Sequence, residues 1–277
     1  MIMVTKKFYL RMILHGSLLL ASLLTIFPFL WMISASFMPS GEASTFPPKF
    51  IPGEITFAQY RLLFDRLNVG RYFLNSLILA IAVSVVSLFV NSLAGYVFAK
   101  FHFRGKRPLL VFLLASMIIP SQVTMLPVFL LLKQVGLLNS YLGIILPGMA
   151  SIFGIFLISQ YLKSLPDSLI EAARIDGASD FQIYWKVVLP LAKPVLVTLA
   201  LFTFMGTWND FMWPLIVMTK ESMFTLPVAL ANLSGEYVQD TELMMAGSVI
   251  TIIPVLVVFL VLQKYYIQGI LLGGIKE

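Results

Sequence analysis

PDSLIEAARIDGASDFQIYWKVVLPLAKP, running from Pro166 to Pro194, is a polar interruption between long apolar runs, and its residues spell helix, turn, helix. Pro166 stands where a first helical turn tolerates a missing N–H, and Ser168 with Glu171 has the spacing of a capping box. Leu169, Ala172, Ala173 and Asp176 continue at helical spacing. Gly177 ends that helix, since glycine takes the left-handed geometry past a C-terminus without steric cost. Ser179 with Gln182 offers a second capping box, and a second helix runs on to Pro190. Two alanines after a glutamate leave a shallow surface that another protein can approach closely.

Outward from this stretch the chain is apolar. Of 277 residues, 59% are hydrophobic and only 12% charged, with mean hydropathy +0.94. A soluble domain carries about 25% charged residues, so this chain has too little polar material to cover its own surface. Runs of about 20 apolar residues cross the hydrocarbon layer as helices, and six emerge. They lie roughly at Met12–Ala35, Phe73–Ala99, Leu109–Leu132, Leu142–Tyr161, Val195–Met218 and Leu243–Gln263. The expected fold class is therefore all-α and polytopic. The run from Met12 to Ile33 exceeds the h-region of a signal peptide, so it reads as an uncleaved first span.

The net charge of +6 follows from topology. With both termini inside, 13 of the 19 Lys and Arg fall on inner segments and six on outer ones. The termini, the basic turn Lys100–Arg107 and the helical hairpin are thus expected in the cytoplasm. Tyr96, Tyr161, Tyr265 and Tyr266 at inner ends, and Trp31, Tyr72, Tyr141 and Trp213 at outer ends, fit the aromatic belts. The basic balance needs no nucleic acid.

Several polar features punctuate the spans. Ser84, Ser87, Asn91 and Gly95 form one small, polar face on span two, suited to close helix packing more than to lining a path. Span three holds Pro120, Ser121, Gln122, Thr124 and Pro127 near its middle; a helix broken there marks either a transport site or a kink against span four, with its Pro147 and Gly148. In span five, Thr207-Trp208-Asn209-Asp210 is the most polar element, and Asp210 either lines a path or caps a bend before Pro214. Gln122, Thr124, Trp208, Asn209 and Asp210 are the candidate translocation-path residues. The outer segment Ser36–Arg71, rich in proline, reads as irregular chain followed by a short helix near Phe57–Leu67.

Glu171-Ala172-Ala173, then Gly177, then Val187-x-Leu189-Pro190, resembles the EAA loop of ABC-importer permeases, with Val187 where that family usually has isoleucine. Other stretches resemble the carbohydrate-uptake branch, in particular the smaller permease subunit of maltose-type importers. They include Asn75-Ser76, Ala94-Gly95-Tyr96, Phe101–Gly105, Gly136-Leu137-Leu138-Asn139, Trp208-Asn209-Asp210-Phe211, Thr225-Leu226-Pro227 and Gln263–Gly269. The resemblance implies the type I importer permease fold in a multi-pass inner-membrane protein. It divides the chain into 1–71, with the tail, first span and outer segment, and a permease core over 72–277 that contains the coupling loop at about 162–193. It implies a homologous second permease, two ATP-binding cassette ATPase subunits beneath, an extracytoplasmic sugar-binding protein outside, and a carbohydrate substrate. It assigns ATPase coupling to Glu171, Ala172, Ala173, Asp176, Gly177 and Pro190, and suggests a C-terminal tail reaching towards the ATPase.

The residues exclude several other chemistries. There is no G-x-x-x-x-G-K-[ST] phosphate cradle, no Ser/His/Asp constellation and no H-E-x-x-H. With no cysteine and two unrelated histidines, neither disulfides nor a metal site are expected, nor any cofactor. Three rivals remain: an importer for an amine or phosphate ester, an ion-coupled secondary transporter, and an integral-membrane enzyme. The second is disfavoured by the short chain, with no visible internal repeat and almost no ionisable groups at mid-membrane. The third is disfavoured by the missing catalytic sets.

Overall fold

Backbone polar groups in lipid must pair within their own segment, and the described residues meet that demand with helices alone. The computed structural model describes residues 2–65, 67–236 and 240–274, with side chains over 11–65, 67–233 and 240–263. The helices are α1 (Ile2–Ala35), α2 (Ala58–Asp65), α3 (Val69–Lys100), α4 (Lys106–Ser116), α5 (Ser121–Gln134), α6 (Leu142–Gly148) and α7 (Ile152–Lys163). Then come α8 (Ser168–Ile175), α9 (Asp180–Leu191), α10 (Lys193–Trp208), α11 (Met212–Val217), α12 (Leu226–Glu236) and α13 (Thr241–Gly274). The C-terminal residues 275–277 and the side chains of Tyr265 and Tyr266 lie outside the described set.

Three helices are long and apolar enough to cross a membrane alone, in α1, α3 and α13, and six spans result if each bent pair counts as one. The breaks have local causes. Between α4 and α5 the axis turns by 101°. Met117, Ile118 and Ile119 donate to Leu114, Ala115 and Ser116, three residues back, which tightens the chain before Pro120, itself without an N–H. Between α6 and α7 the bend is 42°, after Pro147. There the freed backbone N–H of Ser151 donates to Asn91 Oδ1 at 2.9 Å. Span five differs from the uninterrupted run expected over Val195–Met218. α10 ends at Trp208, Asn209 caps it, and α11 is a separate short helix, so Asp210 stands between helices.

The chain forms two compact units. One comprises Met1–Val69 with Leu230–Ile253. In it the outer segment is tied down by long-range bonds: Trp31 Nε1 donates to the Lys49 carbonyl, Ser34 Oγ to the Phe50 carbonyl, and the Ala43 N–H to Glu242 Oε1 at 2.6 Å. The other comprises Gly70–Ala229 with Pro254–Glu277. Its core gathers Tyr96, Ile158, Leu162, Ile170, Ile183, Tyr184, Val188, Val195 and Leu199, uniting α3, α7, α8, α9 and α10. The polar face foreseen on α3 packs as expected. Ser84, Ser87 and Asn91 are buried, Asn91 Nδ2 donates to Ser87 Oγ, and a Cβ on Gly95 would sit 2.7 Å from Ile158 Cγ2.

Candidate functional site

The hairpin α8–α9 is fixed at its turn, at its second start and along its inner face. α8 closes as a Schellman motif: Ala178 N–H donates to Ala173 O and Gly177 N–H to Arg174 O, each at 3.0 Å. Gly177 has φ +82°, the left-handed conformation that this motif requires, and open space surrounds the place a Cβ would occupy. At the start of α9 the Ser179–Gln182 capping box forms in both directions. The Ser168–Glu171 box does not. Asp167 takes the N-cap position with helical backbone angles, and its carboxylate is held by Lys100 Nζ at 2.6 Å, so Ser168 is already the first helical residue.

Below the turn, α9 passes through a π-helical turn over Tyr184–Val188. The extra residue keeps Ile183, Tyr184 and Val188 all inward, while Trp185 and Lys186 face outward. Tyr184 Oη lies 2.7 Å from Ser92 Oγ, and its ring packs against Tyr96. α8 contributes Ile170 to the same core. Charge ties brace the edges. Lys100, with its side chain 6% exposed, bonds both Asp167 and the Leu165 carbonyl; Arg174 bonds Asp180 at 3.0 Å and lies 5.8 Å over the Phe101 ring. The Lys100 hydrogen bond, then its charge, holds the Asp167 carboxyl below the usual aspartate range.

What this leaves outside is the EAA surface. Glu171, Ala172, Asp176, Gly177 and Pro190 are exposed, Ala173 is half-buried, and Ile175 is 86% exposed at the tip. The exposed apolar tip thus stands beside a shallow face of small residues. Ile175 was absent from the sequence-based set; its exposure depends on which face of α8 turns inward, which single-strand spacing left ambiguous.

The candidate path residues separate. Gln122, Thr124 and Asp210 line one open cavity of about 660 Å³, together with Ser121, Thr207 and Trp213. Asp210 Oδ1 accepts the Trp213 N–H at 3.3 Å, so the carboxylate also caps the bend before Pro214. Trp208 does not line this cavity: it is fully buried, T-shaped against Phe73 and stacked on Phe204. Asn209 folds back, its Nδ2 donating to the Met205 carbonyl. Away from this cavity, Asn139, to which the sequence assigned no role beyond its place in the Gly136-Leu137-Leu138-Asn139 stretch, closes a turn. Asn139, at φ +54°, accepts the Thr219 and Lys220 N–H groups, each at 2.8 Å. Its signal was that stretch itself, an asparagine after a glycine-containing turn.

A bundle of broken and whole apolar helices, carrying a rigid exposed hairpin and a polar cavity at helix breaks, defines a membrane permease. The family of inner membrane components of binding-protein-dependent transport systems matches residues 91–271, and the chain belongs to it. It is 36% identical over 261 residues to the arabinooligosaccharides transport system permease protein AraQ of Bacillus subtilis, covering 93% of each chain. It is 34% identical over 254 residues to the diacetylchitobiose uptake system permease protein NgcG of Streptomyces coelicolor, covering 90% of this chain and 84% of that one. Among solved structures, a bacterial ABC transporter that imports the acidic polysaccharide alginate superposes with TM-score 0.81 at 29% identity, covering 93% of this chain and 97% of that one. The chain is thus an integral inner-membrane permease of the ABC-importer type, with the transport role the sequence implied.

Proposed function

We propose that this permease is one half of the translocation path of an ATP-driven carbohydrate importer, with α8–α9 as its coupling element. The observation that carries the reading is the hairpin itself: a doubly capped turn whose inner face is part of the bundle core and whose outer face presents Glu171, Ala172, Asp176, Gly177 and Pro190, with half-buried Ala173 beside them. A push on that face passes to α7 and α10 through Ile170, Ile183 and Tyr184 without slack. ATP-driven closure in partner ATPases shifts access only if contacts differ between states, and a rigid lever supplies that difference. The carbohydrate assignment is supported by the relatives' names and by a cavity combining hydroxyl, amide and carboxylate groups with Trp213, a set suited to polyhydroxylated solutes. The Lys and Arg distribution supports a cytoplasmic hairpin and cytoplasmic termini, and the family description supports a binding protein outside. The partition into a leading segment 1–71 and a core 72–277 belongs to the same proposal.

The chain contains no cysteine, which makes the test clean. Ala172→Cys should react with a membrane-impermeant thiol reagent in inside-out vesicles and not in intact cells. Protection by the ATPase subunits, together with ATP-dependent uptake of a labelled oligosaccharide, completes the expected result. Labelling from outside, or uptake indifferent to an inactive ATPase, overturns the proposal. A second reading, an importer of small osmolytes, is favoured by the 32% identity to the osmoprotective compounds uptake permease GgtD of Synechocystis. Competition of uptake by oligosaccharides against small polyols separates the two.

A further inference from the structure

The basic turn between α3 and α4 does more than satisfy charge topology. Phe103, Gly105, Lys106, Arg107, Pro108 and Leu110, with Lys163 from the last turn of α7, enclose an open pocket of about 440 Å³. Three cations line it and no carboxylate does. Two acids of the hairpin region are already engaged, Asp167 by Lys100 and Asp180 by Arg174. Lys106 spends one N–H on the Phe101 carbonyl, which leaves its charge uncompensated. Among the described residues, the side chains of Arg107 and Lys163 have no hydrogen-bond or ion-pair partner. Like charges held around one pocket repel, and an anion between them relieves that cost.

The surroundings say what kind of anion. The pocket opens where α4 begins, and α4 buries none of its residues; Leu109, Val111 and Phe112 stand exposed along it. The α4 N-terminus has no side-chain cap and no acid in its first turn, so the positive end of the helix adds to the cationic field. Polar cradle and apolar wall adjoin within one turn of helix, which matches a molecule with an anionic head and acyl chains rather than a free phosphate. Basic pockets between membrane helices near the cytoplasmic face are suited to such head groups.

We propose that Lys106, Arg107 and Lys163 form a site for the head group of an anionic phospholipid, whose chains lie along α4. The site fixes the start of α4 to the end of α7, beside the hairpin, and so makes coupling sensitive to lipid composition. The test uses the full chain in nanodiscs, with bound lipid counted by native mass spectrometry. Phosphatidylglycerol should be retained over phosphatidylcholine, and each charge removed by Lys106→Gln, Arg107→Gln or Lys163→Gln should lower retention about fivefold. Lys133→Gln, on α5, should leave retention unchanged, and Lys163→Arg should preserve it. Should the α4 variants fail to fold, the Lys163→Gln and Lys163→Arg pair still decides. Equal retention by wild type and Lys163→Gln overturns the proposal. Displacement by millimolar inorganic phosphate, or by the ATPase subunits, overturns it too, since the pocket then serves a soluble anion or a protein.

Discussion

Gly177 is constrained by its backbone and not by its surroundings. No atom lies within 4 Å of where its Cβ would be, so a substitution there meets no clash; its φ of +82° is the whole constraint. A side chain in that region costs about 1–2 kcal/mol, and a β-branched one more. Gly177→Val should therefore loosen the turn and abolish uptake while the purified chain still melts within a few degrees of wild type, and Gly177→Asn should keep a substantial part of the activity. Uptake assays beside thermal melts decide, and wild-type uptake by the valine variant sinks the lever. Asp167 offers a second reading at this scale. Its carboxyl is held below the ordinary range by Lys100, so its contribution is present above the unfolded value and is lost as pH falls through the folded one. Melting temperature should drop on acidification below about pH 4, and Asp167→Asn should flatten that limb. An unchanged acid limb in the variant removes the role given to this pair. Gly177 and the Ser179–Gln182 box were legible because each is decided by its immediate neighbours. The Ser168–Glu171 box was misread because Lys100, 67 positions away from Asp167, claims the preceding carboxylate and settles which residue caps.

At the scale of elements, the decisive fact is how closely α3 and α7 approach. Gly95 faces Ile158 and the Ile155 carbonyl, Gly154 faces Asn91, and Asn91 closes the α6–α7 break by accepting from Ser151. The face Ser84, Ser87, Asn91 and Gly95 announced such packing through residue size, since small residues let membrane helices meet. Its partner could not be read, because nothing in a single strand of sequence says that Ile158 sits opposite. Gly95→Ala should cost about 1–3 kcal/mol by overpacking, and Ile158→Ala, which removes the crowded Cγ2, should make that substitution less costly in the same chain. Thermal melts of the two variants and their combination measure the coupling; strict additivity would place the two residues out of contact. The span breaks were legible as positions, from Pro120 and Pro147, but not as angles. A bend of 101° at one proline cluster and 42° at the other depends on what neighbouring helices supply to the freed groups. The same dependence moved Trp208 out of the cavity: its tryptophan ring finds Phe73 and Phe204, 135 and four positions away, and is buried by them.

For the molecule as a whole, the part least visible in the sequence is the outer segment, because its order comes from bonds across nearly two hundred residues. The Ala43 N–H donates to Glu242 Oε1, Ser40 Oγ to Asp240 Oδ2, and Ser44 pairs with Thr241, all within one compact unit. Glu42, next in the chain, accepts from Lys49 and from the Gly53 N–H, which folds 42–53 into a closed loop. Glu242 is fully buried, and its Oε2 has no partner among the described residues, so Oε1 alone carries its bond to the segment. Leaving a buried N–H without its acceptor costs about 1–3 kcal/mol, and here the loss falls on Ala43. Glu242→Ala should therefore release residues 39–57 to proteolysis while the hairpin and its core stay intact. Limited proteolysis of the variant in detergent should cut within that segment at least tenfold faster than in wild type, in line with a loss of about 1.4 kcal/mol or more in local opening. Glu242→Gln, which keeps the acceptor oxygen for Ala43, should stay close to wild type. Equal cutting in the alanine variant would mean that Trp31 and Ser34, bonded to the Lys49 and Phe50 carbonyls, hold the segment without help from the start of α13.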